Sequence, residues 1–105
     1  MPADLSWIIA QVRAEAYNIT VHGYEEIDND GITVEMLEEA ICHDMPEVIE
    51  DYPTDPRGAC CLILARTSSN MSIHVVIGYA GHAPGIITVY LPDPTKWMEG
   101  FRRRR

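Results

Sequence analysis

The chain has 105 residues, 47% of them apolar, with sixteen acidic and eight basic side chains and a net charge of −8. That length suits one domain with its own core, and the composition excludes a disordered or low-complexity chain. The longest apolar runs, such as Trp7–Ala10 and Cys60–Ala65, fall far short of the roughly 20 residues of a membrane span, and no signal-peptide pattern opens the chain. The expectation is a single cytoplasmic domain over residues 1–105, with no membrane partner.

In chain order, Asp4 caps a predicted helix to about Glu15, with Leu5, Ile8, Ile9 and Val12 on one face. Tyr17–His22 reads as a brief extended piece. His22 to Asp30 reads as a short second helix closed by Asn29-Asp30-Gly31. A third helix begins at the Thr33 N-cap, carries Val34, Leu37 and Ile41 as its stripe, and ends before Pro46. Beyond Pro46 the pattern turns to strands: Glu47–Tyr52, Ala59–Arg66, Ser72–Tyr79 and Gly85–Leu91, separated by Pro-, Gly- and Asn-containing breaks. Short connections favour neighbouring antiparallel strands. The central strands are apolar on both faces, so both sides of the sheet's middle need a cover. Thr95–Phe101 reads as a C-terminal helical turn that packs Trp97 on the body. The predicted fold is α+β: N-terminal helices, a four-stranded antiparallel sheet and that turn.

Charge is unevenly spread. Twelve acids and no Lys or Arg lie between Glu25 and Asp55, whereas four of the eight bases are the run Arg102–Arg105. Without that run, which reads as a frayed terminus, the body is at −12. Such a body repels nucleic acid at a distance and suits a solvated face or a dock for a basic protein. Cys42, Cys60 and Cys61 fit no zinc-ligand spacing and read as buried, reduced thiols. Glu35, Glu38 and Glu39 share a helix face, but as a solubility feature rather than a metal site. No metal and no cofactor is expected.

Phosphate-loop, dinucleotide, nucleophile-elbow and metalloprotease motifs are absent. Metal-free cleavage of RNA needs a base for the 2′-hydroxyl, a cation for the phosphate and an acid for the leaving oxygen. His22 or His74, Arg66 or Arg57, and Tyr90 or Lys96 have the chemistry for those roles. A single His in an apolar strand is also the ordinary sign of a hydrogen-bonded core residue.

The order of motifs carries a resemblance. Ile19-Thr-Val-His22-Gly23, Gly31–Ala40, Pro46–Pro53, Pro56-Arg-Gly58, Cys61–Arg66, Ile73–Val76, Ile86–Tyr90, Pro92-Asp-Pro94 and Lys96-Trp97 resemble domain-of-unknown-function family 4258 over about residues 17–97. The resemblance implies a relation to RelE-like and MqsR-like toxins and a RelE-like toxin fold. It also implies an endoribonuclease (mRNA interferase) activity and a partner of the YgiT or MqsA zinc-finger antitoxin type. It carries His22, Arg66, His74 and Tyr90 over as catalytic residues. The chain departs from the family pattern at Glu26 and Asp30, where many members carry Arg, which disfavours RNA on that helix. The alternative is a non-catalytic, acidic protein-binding module.

Overall fold

The computed structural model describes residues 2–43 and 45–105. Three helices come first: α1 (Leu5–Arg13), α2 (Val21–Asn29) and α3 (Val34–His43). A short strand β1 (Asn18–Ile19) lies between α1 and α2. Strands β2 (Glu47–Tyr52), β3 (Cys60–Arg66), β4 (Ser72–Gly78) and β5 (Gly85–Tyr90) follow, and then a hairpin of β6 (Trp97–Met98) and β7 (Arg103–Arg104).

The helices begin where side-chain oxygens meet their orphan N–H groups. Asp4 accepts from Trp7 N at 3.1 Å, Thr20 Oγ1 from Gly23 N at 3.0 Å, and Thr33 Oγ1 from Met36 N at 3.0 Å. The second helix therefore starts behind the Thr20 cap at Val21, one residue before His22. Alternation along the strands divides the sheet into two faces. Ile63, Ile73, Val75, Ile77, Ile86 and Val89 point inward and pack, fully buried, with Ile8, Leu37 and Ile41 of the helices. On the outer face Leu62, Leu64 and His74 are buried too, alongside Trp97 from the hairpin. Both predicted covers exist: helices on one side, the hairpin on the other.

The four-stranded antiparallel sheet is corrected by the observed topology. Five strands form one mixed sheet in the order β1-β5-β4-β3-β2, and β1 runs parallel to β5 with Asn18 opposite Gly85 and Ile19 opposite Ile86. Asn18 N donates to Pro84 O and Thr20 N to Ile86 O, each at 3.0 Å. A two-residue strand has no period to read, so its partner is chosen by the packing of α2. Gly23 permits that packing: a Cβ there would lie 3.1 Å from both Ile86 O and Ile19 Cγ2.

The C-terminal helical turn and the frayed arginine tail are also corrected. Trp97 pairs with Arg104 and Met98 with Arg103 in an antiparallel hairpin. Its turn places Glu99, Gly100 and Phe101 at φ of 53°, 68° and 70°, a left-handed run that no helix continues. The tail is held because its cations find carboxylates on β2 and in the turn: Arg102 to Glu47 at 2.7 Å, Arg104 to Glu50 at 2.7 Å, Arg103 to Glu99 at 2.8 Å. Of the three free thiols only Cys61 is buried, with its pKa pushed up to about 12 by burial, while Cys42 and Cys60 are half-buried. Among the described residues no helix is long and apolar enough to cross a membrane.

Candidate functional site on the outer sheet face

His74 and Tyr90 occupy opposed positions on β4 and β5, so the sheet register itself sets their rings 5.1 Å apart at 75°. The Tyr90 hydroxyl lies 3.0 Å from His74 Nδ1, and the Phe101 carbonyl lies 2.9 Å from His74 Nε2. A carbonyl only accepts, which puts the ring hydrogen on Nε2. Burial holds the His74 pKa below its ordinary value, so the ring is neutral and Nδ1 is an acceptor. Tyr90 O–H therefore donates to Nδ1, and the phenol oxygen keeps its lone pairs for the outside.

Trp97 stands edge-on to His74 at 4.4 Å, and the Arg104 guanidinium sits 4.6 Å from the Trp97 ring centre. Arg104 then grips Glu50 through two hydrogen bonds of 2.7 and 3.0 Å, and Tyr52 donates to the same carboxylate at 2.6 Å. The Arg104 guanidinium, more than any other neighbour, holds the Glu50 carboxyl below the usual range. Tyr90 is shifted the other way, chiefly by burial. A continuous network thus runs from Tyr52 through Glu50, Arg104, Trp97 and His74 to Tyr90.

This network walls an open cleft of about 380 Å³, lined by Glu50, Tyr52, Arg57, Cys60, Leu62, Val76, Tyr90 and Arg104 among others. Arg57 is oriented by Asp55, which accepts from its Nε and Nη2, each at 3.2 Å. One floor thus carries two guanidiniums, each paired with a carboxylate (Arg57 with Asp55, Arg104 with Glu50), and two phenols.

The four residues expected from the sequence do not converge. His74 and Tyr90 meet, but His74 is wholly buried and reaches the cleft only through the Tyr90 hydroxyl. Arg66 ends β3 in a separate opening with Met45, Glu47 and Arg102. His22 sits exposed in the first turn of α2, with its Nε2 2.8 Å from Glu26 Oε1. Arg57, the other arginine considered, is in the cleft. Glu50, Tyr52 and Arg104 were missed. Glu50 and Tyr52 do share a strand face at i and i+2, a signal hidden among twelve acids that read as solubility.

The charge is partitioned rather than uniform. Residues 1–43 hold nine acids and one base, whereas residues 44–105 hold seven of each, so the whole −8 belongs to the helix-bearing segment. A groove of about 510 Å³ lies there and is lined by Arg13, Glu15, Glu35, Glu38, Glu39 and Cys42 with Val12. Among the described residues no group of three His, Cys, Asp or Glu side chains is placed to hold a metal ion.

A family model described as "Domain of unknown function (DUF4258)" matches residues 19–91, most of the chain, and the chain belongs to that family. No curated protein matches, and no solved structure matches.

Proposed function

From membership of this family and the chemistry of the cleft, we propose that the protein is a toxin-like, metal-independent endoribonuclease that works on the outer face of its sheet. The observation that carries this reading is the convergence of Arg57, Arg104, Glu50, Tyr52 and Tyr90 on one open floor, with His74 behind Tyr90. Arg57 and Arg104 hold the phosphodiester and stabilise the charge that grows on it. Tyr90 receives the 2′-hydroxyl proton as it passes its own to His74 Nδ1, and the Phe101 carbonyl stabilises the imidazolium through Nε2–H. The leaving 5′-oxygen takes a proton from water at the cleft mouth, and the His74 imidazolium returns its proton through Tyr90 to the hydroxide so formed. Glu50 fixes Arg104 rather than acting as the base, because a carboxylate with a lowered pKa is a poor one.

The net charge of −8 does not fall on this face: in the cleft Arg57 and Arg104 balance Asp55 and Glu50, and the excess of acids lies in residues 1–43. The acidic groove between α1 and α3 is where a protein partner docks. In the toxin reading that partner is a zinc-finger antitoxin. A non-catalytic module binding a basic protein is the second reading, favoured by nine acids against one base in residues 1–43. Salt separates the two only in part, so cleavage is the discriminating test. Single-stranded RNA incubated with the protein in excess chelator should give fragments ending in 2′,3′-cyclic phosphate. Expression should arrest growth, with relief by Tyr90→Phe or Arg57→Ala. Intact RNA and harmless expression would leave the binding-module reading.

A further inference from the structure

The hairpin crosses the outer sheet face and leaves an opening on each side. Leu62 lines the cleft described above, and Leu64 and Arg66, further along the same strand, line the other, of about 280 Å³. The C-terminal segment serves both: Arg104 faces the first opening and Arg102 the second.

Three features set the second opening apart. Arg66 is exposed and, among the described residues, has no carboxylate partner. Arg102 Nε already neutralises Glu47 at 2.7 Å, so the three charged groups leave one positive charge in excess. Met45, held at φ 51° and 88% exposed, presents a bare thioether chain beside them. A polarisable, flexible thioether suits the face of a nucleobase.

Resting on the endoribonuclease reading, we propose that this opening is a second subsite of the same surface. It takes a phosphodiester of the bound RNA strand on Arg66 and Arg102, with an adjacent base laid on Met45. Leu62 and Arg66 are four strand residues apart, about 13 Å. That is about four nucleotides at the stacked rise of about 3.4 Å, and fewer in an extended strand. The favoured substrate is then a single strand longer than a dinucleotide.

Binding of 2′-O-methyl oligonucleotides, which cannot be cleaved, tests this by fluorescence anisotropy with two-mers and eight-mers. The wild type should bind the eight-mer more tightly. Arg66→Ala should weaken the eight-mer about three- to tenfold and flatten its salt slope by about 0.7, and leave the two-mer unchanged. Arg66→Lys should restore most of the loss, and Met45→Ala should weaken the eight-mer alone. Arg57→Ala should weaken both lengths. If Arg57→Ala behaves so while Arg66→Ala affects neither length, or both equally, the second subsite is refuted and the first reading stands. If the wild type binds neither length, both fall. Arg66 is a strand-end surface residue, and an unchanged circular dichroism spectrum confirms that its variants fold.

Discussion

Tyr90 donates its hydroxyl hydrogen to His74 on the neighbouring strand, across 3.0 Å, while His74 donates its other hydrogen to the Phe101 carbonyl. One buried ring thus joins the cleft on the outer sheet face to the C-terminal hairpin. It orients the phenol and clasps the turn that delivers Arg102 and Arg104.

Replacing His74 by Ala should therefore cost stability as well as chemistry. The variant loses a fully buried ring and leaves Tyr90 O–H and Phe101 O without their partner. A loss of about 3 kcal/mol is expected in urea unfolding. In a Trp7→Phe background, Trp97 emission should shift to the red as the hairpin loosens. Emission that stays put would show that the hairpin is held by its ion pairs alone.

Acid should weaken the fold through the same ring. Burial lowers the native His74 pKa below the ordinary 6.5, so the unfolded chain takes up a proton that the native chain refuses. The stability is complete above about pH 6.5 and declines as pH falls through the native value. Urea midpoints measured from pH 7.5 to 5 should fall, and His74→Gln should flatten that slope. An equal slope in the variant would place the titration elsewhere.

Deleting Arg102–Arg105 should destabilise the body rather than trim a loose end. The exposed ion pairs with Glu47 and Glu50 contribute at most about 1 kcal/mol each. The larger part is Trp97, whose burial contributes about 2 kcal/mol and which loses its paired strand. Thermal unfolding of the truncated chain should begin several degrees lower. An unchanged Tm would contradict a structural hairpin.

Gly23→Ala sets two effects against each other. Helix propensity favours Ala by about 1 kcal/mol. The new methyl would meet Ile86 O and Ile19 Cγ2 at 3.1 Å, and Ile86 O is fixed by its bond from Thr20 N. The clash should win, with a net loss of about 1–3 kcal/mol in urea unfolding. A stabilised variant would mean that α2 can shift on β5.

The three helices and the strands β2 to β5 were legible because caps, apolar stripes and turn residues agree along those segments. Asn18–Ile19 was seen as extended but not as a sheet edge, since two residues carry no register. Trp97 was rightly packed on the body, yet the residues around it were read as a helical turn. The decisive features there are the left-handed backbone at Glu99–Phe101 and the carboxylates of Glu47 and Glu50, more than fifty residues from the arginines they hold. The same distance hid the site. His74 and Tyr90 stood out because imidazoles are scarce and their strands pair. Glu50 and Arg104 look like ordinary surface charges until folding joins them.

The most direct measurement is the cleavage rate of a single-stranded RNA in chelator, wild type against Tyr90→Phe. Phe keeps the ring in place and removes only the hydroxyl that donates to His74 and that the proposed mechanism uses to take up the 2′-hydroxyl proton. The expected result is cyclic-phosphate product from the wild type and a rate reduced by about 10² or more in the variant. Equal rates, or no cleavage by either protein, would contradict a catalytic role for the outer sheet face.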